Sequence, residues 1–230
     1  LQRDNELKIT DLDDTPWTLD AQAETQRMQR LATLLDPQKC SERTKDALDE
    51  LLRRQNNQGG WSWCDGMRPS AYITGRVLLY FSMLRQMDFI TLDKKADNAI
   101  RKAVAYTDSE LYKDYIRSKK HFSTSQMLNY LYVRSGLGDI NMSSDFASLK
   151  NLAINAIRKE WRGFGIYDAA VASILLKREG YPMEARGILE SLRQKALSSQ
   201  ERGMWYDNLS SSWDGRNKLI ITMQVLEAYS

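Results

Sequence analysis

The sequence predicts an all-α fold, an α/α toroid of alternating outer and inner helices. Two observations carry that prediction. Apolar residues recur at helical spacing almost throughout the 230 residues. Amphipathic segments also alternate with segments that are apolar nearly all round, repeating roughly every 45 to 55 residues. Two-helix units of this kind cannot bury their faces alone and must stack on neighbours. Making every second helix apolar on all sides calls for an inner ring surrounded by an outer one.

The elements follow in order. Residues 1–20 read as an extended lead-in, where "ELKIT" is the one strand-like stretch, and 21–230 read as the toroid domain. The first helix, 21–35, places Met28, Leu31, Leu34 and Leu35 on one face. The second, 41–55, opens on Ser41 as N-cap and aligns Leu48, Leu51 and Leu52. The segment 70–87 is apolar nearly all round; 93–108 is amphipathic again. Residues 123–136 are mostly apolar and 144–160 amphipathic. Residues 165–180 are small and apolar and end on Gly180, suited to a helix C-terminus. Pro182 opens the amphipathic 182–197, and 217–230 is apolar once more. Inner positions are therefore expected for 70–87, 123–136, 165–178 and 217–229.

Between the second and third helices stands "RQNNQGGWSWCDGM", residues 54–67. Gly59 and Gly60 supply a tight reversal there. Trp61 and Trp63 are expected to wedge between helix pairs as packing residues, with stacking on a ligand as the alternative. A weaker echo, "QERGMWYDN", places Trp205 and Tyr206 before the last inner helix, with Trp213 shortly after.

Composition bounds the chemistry. Apolar residues form 42% and charged residues 27%, with a net charge of +3, as in an ordinary globular chain. No apolar run reaches the roughly 18 residues of a membrane span. No charged-then-apolar leader is present, so the chain is expected to be a mature segment or an excised piece. The basic cluster "RSKKH", 117–121, reads as a solvated helix end, so no nucleic-acid partner is expected. Cys40 and Cys64 are too few for a disulfide framework and lack metal-ligand spacing, so no metal or cofactor is expected. With one histidine, His121, a multi-histidine metal site is excluded, and a Ser-His-Asp triad would have to use that residue. Neither GxxxxGK[ST] nor GxGxxG occurs.

The ordered set Thr15-Pro16-Trp17, "QNNQGGWSWCDGM" and "GMWYDN…SSWDG", each followed by helices, resembles bacterial alpha-2-macroglobulin family proteins. The likeness runs from about residue 10 to the end and implies their thioester-domain toroid. That family's hallmark is a thioester made by the Cys and Gln of a Gly-Cys-Gly-Glu-Gln motif. Here Arg30-Leu31-Ala32 stands where the family often has the same triplet, which aligns Gln26 with the glutamine and Ala23 with the cysteine. Alanine has no sulfur, so the thioester positions are vestigial. Cys40 is followed three positions on by Arg43, and Cys64 by Met67, so neither restores the motif.

The resemblance implies a large multidomain parent that is secreted, periplasmic or membrane-anchored, with β-sandwich domains beside this one. It implies an endopeptidase-inhibitor-like module engaging proteases or other host proteins, not an enzyme. It also implies more helix pairs than are read here, so the toroid is expected to be incomplete in this chain.

Two enzymatic alternatives stand beside it. "DLDDTPW", 11–17, resembles the acidic motif of class II terpene cyclases, whose central aspartic acid protonates an alkene. Beside Pro16 and before the first helix, a buried acid is hard to build, and solvated carboxylates are the simpler reading. A glycan-processing toroid would instead pair carboxylates among aromatic residues, with Asp65, Asp168, Asp207 and Asp214 as candidates.

Overall fold

The computed structural model describes residues 24–26, 28, 36–86, 93–138, 140–207, 209 and 217–230. "ELKIT", "DLDDTPW", Ala23, Arg30-Leu31-Ala32, Trp213 and Asp214 lie outside the described residues. The chain divides into two compact units, Leu1–Arg54 and Gln55–Ser230.

In the first unit, Gln26 is helical and exposed, as are Glu24 and Met28. Helix α1 spans Pro37–Arg53. It begins four residues before the expected Ser41. The Asp36 carboxylate accepts the amides of Gln38 and Lys39 at 3.0 and 3.3 Å, and Pro37 needs no partner in the first turn. Glu50 is held below the usual glutamate range by hydrogen bonds from Arg54 and then Arg53. Leu52 is its buried residue; the surrounding positions are half-buried or exposed.

Among its described residues the second unit is mostly helical with one short hairpin, and the all-α class holds. Its helices are α2 (Ala71–Gln86), α3 (Lys94–Arg117), α4 (Thr124–Ser135) and α5 (Ser144–Glu160). They continue with α6 (Ile166–Arg178), α7 (Pro182–Lys195) and α8 (Lys218–Tyr229). Serine or aspartate caps recur for a physical reason: each satisfies an amide that the first turn leaves orphaned. Asp93 caps α3, Ser123 α4, Ser143 α5, and Asn217 α8.

Two C-termini close in the same way with different residues. After α6 the Tyr181 amide reaches the Leu176 carbonyl and the Gly180 amide reaches Lys177, with Gly180 at φ +86. After α3 the Lys120 amide reaches Tyr115 and the Lys119 amide reaches Ile116, but Lys119 stands at φ +53. The second closure carries a left-handed strain that glycine would relieve.

The helices form two layers. The apolar set α2, α4, α6 and α8 makes a contiguous strip, α2 on α4, α4 on α6 and α6 on α8. The amphipathic set lies beside it: α3 packs on α2 and α5, α5 on α4, and α7 on α6. Helix α6 is buried from Ala169 to Leu176 without interruption, as its composition requires. The strip is not enclosed throughout. Helix α8 buries Ile221, Val225 and Ala228, yet Leu219 and Leu226 are 67% and 65% exposed. Tyr72 and Tyr80 on α2 are exposed too, so α4 and α6 alone have the all-round burial expected of inner helices.

Helix α3 runs nine residues past the expected stop at Asp108. That aspartate is buried inside the helix, where its carboxylate takes the Tyr130 hydroxyl at 2.6 Å and Arg134 at 3.1–3.2 Å. The residues after it continue the amphipathic pattern with their charges outward. One further element was not anticipated. Leu197–Ser199 pairs antiparallel with Gly203–Trp205, where "SSQERGMW" closes on itself as a small exposed hairpin.

Candidate functional site

The polar stretch before α2 folds into a pinned turn, residue by residue. Gln55 donates through Nε2 to the carbonyls of Gly59 and Ala99, both at 2.8 Å, tying the turn to α3. The Asn56 carboxamide oxygen accepts the amides of Gln58 and Gly60. Both glycines are compelled by space. A Cβ on Gly59, which stands at φ +93, would lie 2.6 Å from the Lys102 carbonyl oxygen. One on Gly60 would lie 2.7 Å from both Pro69 and the Tyr106 ring. The Tyr106 hydroxyl donates to the Pro69 carbonyl, closing the far side.

The two tryptophans of this turn have different fates. Trp61 is 3% exposed, and its amide donates to the Thr74 hydroxyl at 2.9 Å, so it packs as expected. Trp63 is 66% exposed and does not wedge between helices. The chain turns outward after Trp61, and the indole stacks on Tyr72 at 5.8 Å and 14°.

Tyr72 lines a cavity of about 370 Å³ between α2 and α4. Thr107 and Leu111 of α3 close its inner side, and Tyr167 of α6 reaches its rim. Among the described residues Arg76 is the one charged side chain lining it. Of the three candidate carboxylates among the described residues, Asp168 adjoins it, through a 3.2 Å hydrogen bond from the lining Ser125. Asp65 is exposed in the turn, and Asp207 is exposed beside the hairpin, where it accepts the Trp205 indole N–H at 3.2 Å. The described residues therefore bring together one carboxylate of the pair that glycoside chemistry needs.

Tyr206 is half-buried and donates to the Leu192 carbonyl; burial, then the neighbouring Tyr229, pushes its hydroxyl up to about 12. Cys64 is exposed in the Trp63–Met67 turn as a free thiol. Cys40 lies within α1.

Two polar clusters were not foreseen. Behind the cavity, Asp108, Tyr130 and Arg134 form a buried network in which Arg134 also reaches the Ile140 carbonyl at 3.1 Å. Burial raises the Asp108 carboxyl despite Arg134 and Tyr130 beside it, and burial also drives the Tyr130 hydroxyl well up. The spacing of Tyr130 and Arg134, four apart on a largely buried helix, was the available signal.

At the other end of the strip, Arg178 gathers four helices. It donates to Ser135 of α4 at 3.0 Å, Gln86 of α2 at 3.1 Å and Glu227 of α8 at 3.2 Å. Tyr132 lies under its guanidinium at 5.4 Å and donates to Glu227 at 2.6 Å. Burial, reinforced by Glu227, raises that hydroxyl. Since each of these residues lies at or near its helix's C-terminal end, the four apolar helices run the same way. One cation sits where their negative dipole ends converge.

Among the described residues, no group of three or more His, Cys, Asp or Glu could hold a metal ion, and no helix is long and apolar enough to cross a membrane. Searches against family models, curated proteins and solved structures find no match to this chain.

Proposed function

We propose that this chain is a thioester-domain-like α/α-toroid module of a bacterial alpha-2-macroglobulin-type protein, acting through non-covalent contacts. The observation that carries the reading is the convergence of α2, α4, α6 and α8 on Arg178. Same-way apolar helices with amphipathic helices beside them are what an inner and an outer ring require locally. The exposed apolar side of α8, with Leu219 and Leu226, supports a ring that continues beyond the helices described. Alanine at position 23, in the place of the family's cysteine, supports a module that engages targets without acylating them.

On this reading the parent is secreted, periplasmic or membrane-anchored, with β-sandwich domains flanking the module. Its partners are proteases or other host proteins, and the module positions contacts rather than catalysing a reaction. The test uses the full-length parent mixed with an active protease. Co-elution on native size exclusion is expected, with no adduct on a denaturing gel and no methylamine incorporation. An adduct that survives denaturation would overturn the non-covalent role.

A further inference from the structure

The cavity between α2 and α4 differs in chemistry from floor to mouth. Its floor is formed by Thr107, Leu111, Tyr130, Tyr132 and Val133, all buried. The polar atoms there already have partners inside the protein. The Thr107 hydroxyl donates to the Ala103 carbonyl, that of Tyr130 to Asp108, and that of Tyr132 to Glu227. What the floor offers a ligand is therefore carbon.

The mouth is polar, with Gln126 exposed and Arg76 half-buried. Among the described residues Arg76 has no carboxylate partner. Its guanidinium rests over the Tyr80 ring at 5.8 Å, with Nη2 3.5 Å from that hydroxyl.

Gly75 adds an independent sign. It lies in the interior of α2, where glycine is less favourable than alanine. Among the described residues a Cβ there would meet nothing within 4 Å. The space it leaves belongs to the cavity wall.

We infer that this cavity binds an amphipathic carboxylate, with an aromatic or branched aliphatic body on the floor and the carboxylate at Arg76. An apolar pocket with a few polar groups that fix orientation is the usual form of a ligand site. A guanidinium facing a carboxylate gives the stronger, charge-assisted class of hydrogen bond. At about 370 Å³ the cavity has room for one aryl group on a short linker. Two sources present that chemistry: a free aryl- or alkyl-carboxylic acid, and the C-terminal residue of a peptide that ends in a bulky apolar side chain.

Titration calorimetry with four probes tests the inference. They are 4-phenylbutyrate, its amide, and an N-acetylated pentapeptide ending in phenylalanine with a free or an amidated C-terminus. Each acid is expected to bind about tenfold tighter than its amide. Gly75→Leu should abolish binding of both acids while the far-ultraviolet dichroism and melting temperature hold or rise. Arg76→Met should bring each acid down to its amide. A peptide acid tighter than phenylbutyrate assigns the site to a chain terminus, and equal affinities assign it to a free acid. Equal binding of acid and amide, wild-type affinity in Gly75→Leu, or no binding by any probe would overturn the inference. None of these readouts depends on protease capture, so their failure is separate from a failure of the proposed module role.

Discussion

Gln55–Trp61 and Gln200–Tyr206 look like copies in the sequence, each with glutamine, then glycine, then an aromatic residue ahead of an apolar helix. The structure makes them different objects. In the first, the glycines are forced by close approach to Lys102, Pro69 and Tyr106, and Trp61 is buried with its amide on Thr74. In the second, Gly203 supplies a φ of +70 to a hairpin turn and meets nothing within 4 Å. Trp205 there is half-buried, and its indole bonds the nearby Asp207. The difference teaches that the residues around a glycine decide what it is for. One turn joins the core, and the other closes on itself at the surface.

The two turns are expected to differ most at their tryptophans. Trp61→Ala should destabilise the second unit by about 3–5 kcal/mol, as large aromatic truncations in cores do. Trp205→Ala should cost about 1 kcal/mol, near the middle of the range for point mutants. Denaturant midpoints of the two variants measure the gap, and similar values would mean that both turns are core joints. Next come the glycines. Gly59→Ala places a Cβ against the Lys102 carbonyl in a left-handed backbone, and about 2–4 kcal/mol is expected. Gly203→Ala carries only the backbone strain, about 1 kcal/mol.

Thr74→Val keeps the shape but leaves the buried Trp61 amide without its acceptor, which should cost about 1–3 kcal/mol. Hydrogen exchange at the Trp61 amide should quicken in that variant while exchange in the Leu197–Trp205 hairpin stays as it was. The smallest effect belongs to Trp63. It lies on the outside of the same turn, so Trp63→Ala should shift stability by about 0.5 kcal/mol or less.

Much of the architecture was legible before any coordinates. Helical periodicity located each α-helix described in the second unit, because burial on one face or all round leaves its mark on composition. The failures have particular causes. Thr107 and Asp108 look like a helix stop in isolation, but Asp108 is held in α3 by Tyr130 and Arg134 from 22 and 26 residues further on. A partner at that separation has no local trace. Ser41 is a good cap, yet Asp36 followed by Pro37 is a better start, and α1 takes it. The hairpin is too short and too exposed to show an alternating pattern. The cavity is a gap between α2 and α4, and periodicity reports faces rather than gaps.

The same contrast between motif and surroundings bears on the absent bond. The "QGGWSW" turn resembles a family defined by covalent capture, while Ala23, which that resemblance aligns with the family's cysteine, has no sulfur, and neither Cys40 nor Cys64 has a glutamine three residues on. Intact-mass spectrometry of the natively folded chain tests that claim most directly. The account predicts the mass of the unmodified residues, apart from any thiol oxidation, and no cross-linked peptide after digestion. A mass lower by one ammonia, with a Cys–Gln cross-linked peptide in the digest, would contradict it.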